Sequence, residues 1–109
     1  MCVPPANLQP TGVVVPVNGK ITLSWEAAPQ AVSYNVRIAD KTNPGARYDD
    51  PRFTTCQNSP HYYCEHGIPI TSLTQVPVTL GHQYQFWVSP NFSPSRPPCN
   101  GYTTFQIQP

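Results

Sequence analysis

Proline recurs along almost the whole chain, with 15 prolines among 109 residues. Because a proline inside a helix removes a backbone donor and costs about 3 kcal/mol, long helices have almost no room to form. Turns and edge strands tolerate proline, and six glycines add further turn positions. The sequence therefore predicts an all-β fold of short strands.

Size and charge limit the functions that such a fold can have. A chain of this length forms one domain with one core and little room for a deep cleft. Only 10% of the residues are charged and the net charge is +1, so the basic surface of a nucleic-acid binder is missing. No apolar run approaches the roughly 18 residues that a membrane span needs. We expect partners that are neither nucleic acid nor membrane.

Alternation of apolar and polar side chains predicts the strands. Residues 1–10 have no such period and are interpreted as an extended leader, whereas 11–109 are interpreted as the folded domain. Weaker patterns suggest an edge strand near 13–17, a short strand near 52–55 and another edge strand within 70–78. The clear inward sets are Ile21, Leu23 and Trp25; Tyr34, Val36 and Ile38; Tyr84, Phe86 and Val88; and Phe105 and Ile107.

About seven short strands with turns every ten residues favour a single antiparallel β-sandwich. Trp25 in one strand, the Tyr34-x-Val36-x-Ile38 pattern in the next, and Gly81 three residues before Tyr84 resemble the fibronectin type III pattern over most of 11–108. The resemblance implies an immunoglobulin-like or fibronectin III-like sandwich in which Tyr84 forms the tyrosine corner. The segment from Cys56 to Cys64 departs from that pattern.

Four cysteines with no C-x-x-C pair favour two disulfides and a secreted, extracellular protein. Sequence alone leaves three connectivities open. In a sandwich of this kind the first and last strands run in the same direction, which predicts the pairs Cys2–Cys99 and Cys56–Cys64. The alternative is a zinc site, although the spacing does not fit the usual zinc folds; its ligands would be Cys56, His61, Cys64 and His66.

Sequence motifs of catalysis are absent: there is no nucleophile elbow, no H-E-x-x-H and no glycine-rich phosphate loop. We therefore expect no enzymatic activity and no cofactor. His61, His66 and His82 lie in predicted loops, where solvated polar residues are ordinary. The adjacent carboxylates of Asp49 and Asp50 could contribute ligands to a structural calcium ion, but the sequence does not predict one.

Alternation also predicts a binding face. If Tyr84, Phe86 and Val88 point inward, Trp87 must point outward and be exposed. A sugar ring stacks its apolar face on an aromatic ring, and its hydroxyls bind amide and guanidinium groups. An outward Trp87 can equally be covered by Arg37 or by another domain. The outward residues predicted to bind ligand are Asn35, Arg37, Gln85, Trp87, Tyr102 and Gln106.

That face resembles the platforms of the non-catalytic carbohydrate-binding modules of secreted glycoside hydrolases. The resemblance implies a β-glucan or other polysaccharide or oligosaccharide as ligand and an adjacent catalytic domain in the parent chain, with binding that raises the local concentration of enzyme. The alternative is a fibronectin III-like spacer or adhesion module, which the glycosylation sequon Asn91-Phe92-Ser93 would favour. Exposed aromatic residues are also expected at a second site, formed by Tyr62, Tyr63, Asn91 and Phe92.

Overall fold

Strands make up the regular structure of the chain in a computed structural model that describes residues 3–44, 50–56, 59–95 and 97–109, with the backbone alone over 59–62. No helix in these ranges has the length and apolar character needed to cross a membrane. The strands are β1 Ala6–Gln9, β2 Gly12–Val14, β3 Lys20–Glu26, β4 Ala31–Asp40, β5 Thr54–Cys56, β6 Ser59–Ile68, β7 Ser72–Pro77, β8 Gln83–Phe92 and β9 Gly101–Ile107.

These strands form two sheets that face each other across the core. The smaller sheet has the order β1-β3-β7, and the larger has the order β2-β9-β8-β4-β6-β5. Among the described strands, β2 and β9 run parallel and every other neighbouring pair is antiparallel. The predicted all-β sandwich is confirmed. The edge position predicted for a strand within 70–78 is also found, since β7 ends the smaller sheet.

Two strands lie where the sequence predicted none. β1 falls inside the predicted leader and pairs with β3, and the backbone of the leader packs so closely on β9 that a side chain at Gly101 would collide with the carbonyl oxygen of Pro5. β6 lacks apolar alternation, yet it pairs with β4 on one side and β5 on the other. Hydrogen bonds from two neighbours hold a strand that has no sequence period of its own.

The predicted inward sets are confirmed by burial. β3 alternates exposed and buried side chains, and β4 and β8 do the same between half-buried and buried ones. Full burial of such side chains contributes about 1.5–3 kcal/mol each, so this shared core is the main stabilising feature of the fold. Its largest fully buried members are Leu23, Val36, Ile38, Val76, Phe86, Val88, Pro90, Phe105 and Ile107.

Tyr84 forms the predicted tyrosine corner. The backbone N–H of Thr79 donates to the Tyr84 hydroxyl at 2.9 Å, and the ring stacks on Phe105 with centroids 5.7 Å apart. Burial raises the pKa of the Tyr84 phenol above its ordinary value, and its hydrogen bonds with Thr79 offset only part of that effect. The neutral phenol therefore ties the β7–β8 connection to the core.

An ion pair between Asp50 and Arg52 links the segment before β5 to β7, the edge strand of the smaller sheet. Arg52 Nη2 lies 2.8 Å from Asp50 Oδ2 and donates to the carbonyl oxygen of Gln75 on β7 at 3.2 Å. Burial raises the pKa of Asp50, but side-chain and backbone hydrogen bonds from Arg52 outweigh it and hold the pKa below its ordinary value. This pairing occupies the Asp50 carboxylate that a calcium ion would have used; Asp49 lies outside the described residues.

The cysteines are oxidised where the structure describes them. Cys56 and Cys64 form the predicted disulfide, with Cα atoms 5.2 Å apart. The zinc alternative is wrong, because thiols joined in a disulfide cannot act as thiolate ligands. Cys99 is also disulfide-bonded, and its predicted partner, Cys2, lies outside the described residues.

Candidate functional site

The outer face of the six-stranded sheet carries a row of side chains that includes the three predicted aromatic and basic residues. Backbone register places Arg37 beside Cys64 of β6 and opposite Trp87 of β8, and it places Trp87 opposite Tyr102 of β9. Paired residues in neighbouring strands share a face. With strands about 4.8 Å apart, the four positions span roughly 14 Å.

Trp87 points outward, as predicted, but it is half-buried rather than exposed. Arg37 covers part of the side chain, because its Cζ lies over the indole, 4.4 Å from the ring centroid. A guanidinium over an indole is a cation–π contact that contributes about 0.5–1 kcal/mol at a partly exposed site. Arg37 therefore fixes the orientation of the indole and covers part of its surface.

A shallow cleft of about 300 Å³ opens beside this pair. That volume is at the lower end of small-molecule sites, which suits a short segment of a chain lying across the surface. Three of the predicted binding residues line it, namely Asn35, Arg37 and Trp87. The sequence did not predict the other lining residues, because they come from β6, from the extension of β8 and from the segment before β9: Cys64, Ser89, Pro98 and Asn100, together with Val36.

Asn35 is held at the edge of the cleft by a polar cluster. Its Oδ1 accepts hydrogen bonds from the Gly67 N–H and from Asn91 Nδ2, each at 3.0 Å. Asn91 Nδ2 also donates to Ser33 Oγ at 3.0 Å. These bonds fix the Asn35 amide in one orientation. They also occupy the Asn91 nitrogen to which a glycan would attach, which argues against use of that sequon.

The remaining predicted residues lie at increasing distances from the cleft. Tyr102 flanks Trp87 and is 65% exposed, and Gln85 lies in the next row of the same face, about 7 Å along the strand. Gln106 lies two rows from Tyr102 and donates to the Gly81 carbonyl oxygen at 2.8 Å. The structure thus brings Asn35, Arg37, Trp87 and Tyr102 together and leaves Gln106 apart.

The second predicted aromatic site is not formed by its described members. Phe92 is buried at the end of β8, and Tyr63 packs against the core. The side chain of Tyr62 lies outside the described residues.

The sequence predicted all three histidines in loops, but two of them lie on a strand. His61 and His66 lie on β6, and the side chain of His61 is outside the described residues. His82 precedes β8, and its Nδ1 lies 2.7 Å from Asp40 Oδ2. The paired His82 thus joins the ends of β4 and β8 instead of being simply solvated.

Fold and comparison agree on the class of protein: the chain is a β-sandwich with a fibronectin type III-like fold. Among solved structures it is similar to the crystal structure of an Fn3-like protein from Clostridium thermocellum, with a TM-score of 0.60 and 24% identity over 99% of this chain and 95% of that one. No family model matches the chain, and no curated protein matches it. At this identity the likeness establishes the fold alone.

Proposed function

We propose that this domain is a non-catalytic carbohydrate-binding module with a polysaccharide as ligand. The observation that carries the proposal is the row formed by Arg37, Trp87 and Tyr102 beside a shallow cleft on an open sheet face. The aromatic residues offer surface for the apolar face of a sugar ring, and Asn35 offers an oriented amide to its hydroxyls.

The benefit of such binding is proximity. A module that holds an attached catalytic domain on a polymer raises the effective concentration of that domain at its substrate without chemistry of its own. Two of the described acidic side chains have partners within the fold: Asp40 lies 2.7 Å from His82, and Asp50 forms an ion pair with Arg52. The Cys56–Cys64 disulfide suits an oxidising compartment, and we propose that the protein is secreted.

A spacer or adhesion role remains the second candidate, and one surface favours it. Val13, Val15 and Val17 are 65–75% exposed at the edge strand β2 and the segment after it, beside a second cleft of about 290 Å³. Apolar side chains clustered at an edge mark a contact with another protein domain. In the sheet order β9 separates β2 from β8, and Val13 pairs with Gln106, two rows from Tyr102, so the two functions can be tested separately.

Titration with soluble polysaccharides, starting with a β-glucan and followed by tryptophan emission, tests the proposal. Trp25 is 4% exposed in the core, so a ligand-induced change reports on Trp87. Trp87→Ala should weaken binding about tenfold, as expected from loss of an aromatic stacking contact. Val13→Ala, an exposed apolar truncation on β2, should leave polysaccharide binding unchanged.

The opposite pattern supports the spacer role. Binding that survives Trp87→Ala, with no emission change on adding any polysaccharide, would exclude the sugar platform. Loss of a neighbouring-domain contact in Val13→Ala would then identify the β2 edge as the functional surface.

A further inference from the structure

The outer edge of β2 carries backbone groups that no described strand uses. β2 ends the six-stranded sheet, and β9 is its one neighbour among the described strands. The carbonyl oxygen of Val14 accepts a hydrogen bond from the Gln108 N–H at 2.9 Å, so the backbone groups of Val14 face β9. Successive residues of a strand direct these groups to opposite sides. The N–H and C=O groups of Val13 and Val15 are therefore directed away from the sheet.

The same edge is apolar and uncharged. The side chains of Val13, Val15 and Val17 are 65–75% exposed, and the two residues between them are half-buried. No charged residue precedes Lys20 in the chain, whereas sheet edges are commonly protected by charged side chains, lysine above all. A charged partner would find no counter-charge on this edge. A second copy of the chain would meet it without repulsion, because its own edge is equally uncharged.

We propose that β2 pairs with β2 of a second copy, antiparallel and about a two-fold axis at Val14; this inference does not rest on the proposed function. In that register Val13 of each copy lies opposite Val15 of the other, and the two residues of each pair exchange both of their backbone hydrogen bonds. The paired valine side chains then share one face of the joined sheets. Val17 and Lys20 bond to each other through their N–H and C=O groups at 3.0 Å, so the free edge stops before Val17. An edge that pairs with itself gives a closed dimer and not a filament.

The small size of this contact predicts a weak dimer. β2 has three residues, and a contact between two such edges covers much less than the roughly 800 Å² per partner of a standard interface. We therefore expect a Kd of about 1 mM. At the micromolar protein concentrations of an emission titration the domain is then monomeric, so polysaccharide binding and self-association are measured separately.

Sedimentation equilibrium of the wild-type domain over a series of concentrations tests the dimer. The weight-average mass should rise by about half between dilute solution and about 1 mM protein, as a Kd of about 1 mM requires. Val13→Lys places a charge on the edge and should keep the mass at that of the monomer. Val32→Lys makes the same change at an exposed valine of β4 and should dimerise like the wild type. Amide hydrogen exchange at Val13 and Val15 should slow as the protein concentration rises.

Three results would overturn the proposal. A monomer mass at every concentration would exclude the second copy and leave a neighbouring domain as the occupant of this edge. Dimers that persist in a folded Val13→Lys variant would show that the contact lies elsewhere. Dimers in which the Val13 and Val15 amides exchange as fast as in the monomer would show that the valines associate without strand pairing.

Discussion

The guanidinium carbon of Arg37 lies 4.4 Å from the centroid of the Trp87 indole, across the β4–β8 register. The pair is half-buried on the outer face, whereas the only other tryptophan, Trp25, lies in the core. The arginine therefore controls how much of the outer indole a solute can reach. Any ligand of the face must fit beside the guanidinium or displace it.

Replacing Arg37 with alanine should uncover Trp87. We expect a red shift of the emission, a steeper quenching by acrylamide and a loss of about 0.5–1 kcal/mol in unfolding free energy from the lost cation–π contact. Lys41→Ala, which removes an exposed cation just after β4, should change neither emission nor quenching. If acrylamide quenches Trp87 equally in the wild type and in Arg37→Ala, the Arg37–Trp87 pair does not form in solution.

Tyr84→Phe should destabilise the sandwich without affecting the binding face. It removes the acceptor of the Thr79 N–H and leaves that donor unpaired, for which we expect a loss of about 1–2 kcal/mol in urea unfolding. The hydroxyl of Tyr102 is exposed at the surface, so Tyr102→Phe is the matched control with no expected effect. Equal unfolding midpoints for the two variants would contradict a role for the corner hydrogen bond.

Alternation made the core and the orientation of Trp87 predictable. In β8 the inward positions Tyr84, Phe86 and Val88 are strongly apolar, and one face of a strand determines the other because the side-chain period is two. The same logic placed Asn35 and Arg37 outward on β4. The local sequence pattern is sufficient to predict side-chain orientation wherever one face of a strand packs on the core.

Features that depend on long-range pairing were not predictable. β6 has no alternation, and the sequence does not show that it lies between β4 and β5. Pro98 and Asn100 reach the cleft through a segment with no regular structure. The Arg37 guanidinium covers Trp87 because the strand register sets the two residues opposite each other. That register is determined by the pairing of the whole sheet and not by the local sequence.

The Asp50–Arg52 pair makes the unfolding free energy depend on pH in the acid range. Because the folded state holds the pKa of Asp50 below its ordinary value of 3.8, protons bind the unfolded chain more readily. The contribution of the Asp50–Arg52 pair to the unfolding free energy is therefore complete above the pKa that Asp50 has in the unfolded chain. It is lost as the pH falls through the lower pKa that Asp50 has in the folded state. Asp50→Asn should cost about 1–2 kcal/mol at pH 7, discounted for the partial exposure of Arg52.

Urea unfolding of Asp50→Asn at a series of pH values measures this effect. The difference from wild type should shrink as the pH falls below about 4. Glu26→Gln, at an exposed position on β3, serves as the control for general charge removal. A difference that stays constant from pH 7 to pH 2 would contradict the role of Asp50 ionisation.

Removal of the Cys56–Cys64 disulfide should affect both stability and the cleft. The bridge joins positions eight residues apart, and closing so short a loop stabilises by about 2.5 kcal/mol in the chain-entropy model. β5 has three residues and β6 as its one described neighbour, so the bridge adds a covalent link to a short strand that is paired on one side.

The double substitution Cys56→Ala/Cys64→Ala should therefore lower the unfolding free energy and speed amide hydrogen exchange in β5 first. Because Cys64 lines the cleft beside Arg37, polysaccharide affinity should fall as well, while exchange in β3 at the centre of the other sheet stays slow. Unchanged exchange in β5 would mean that pairing with β6 alone holds the strand.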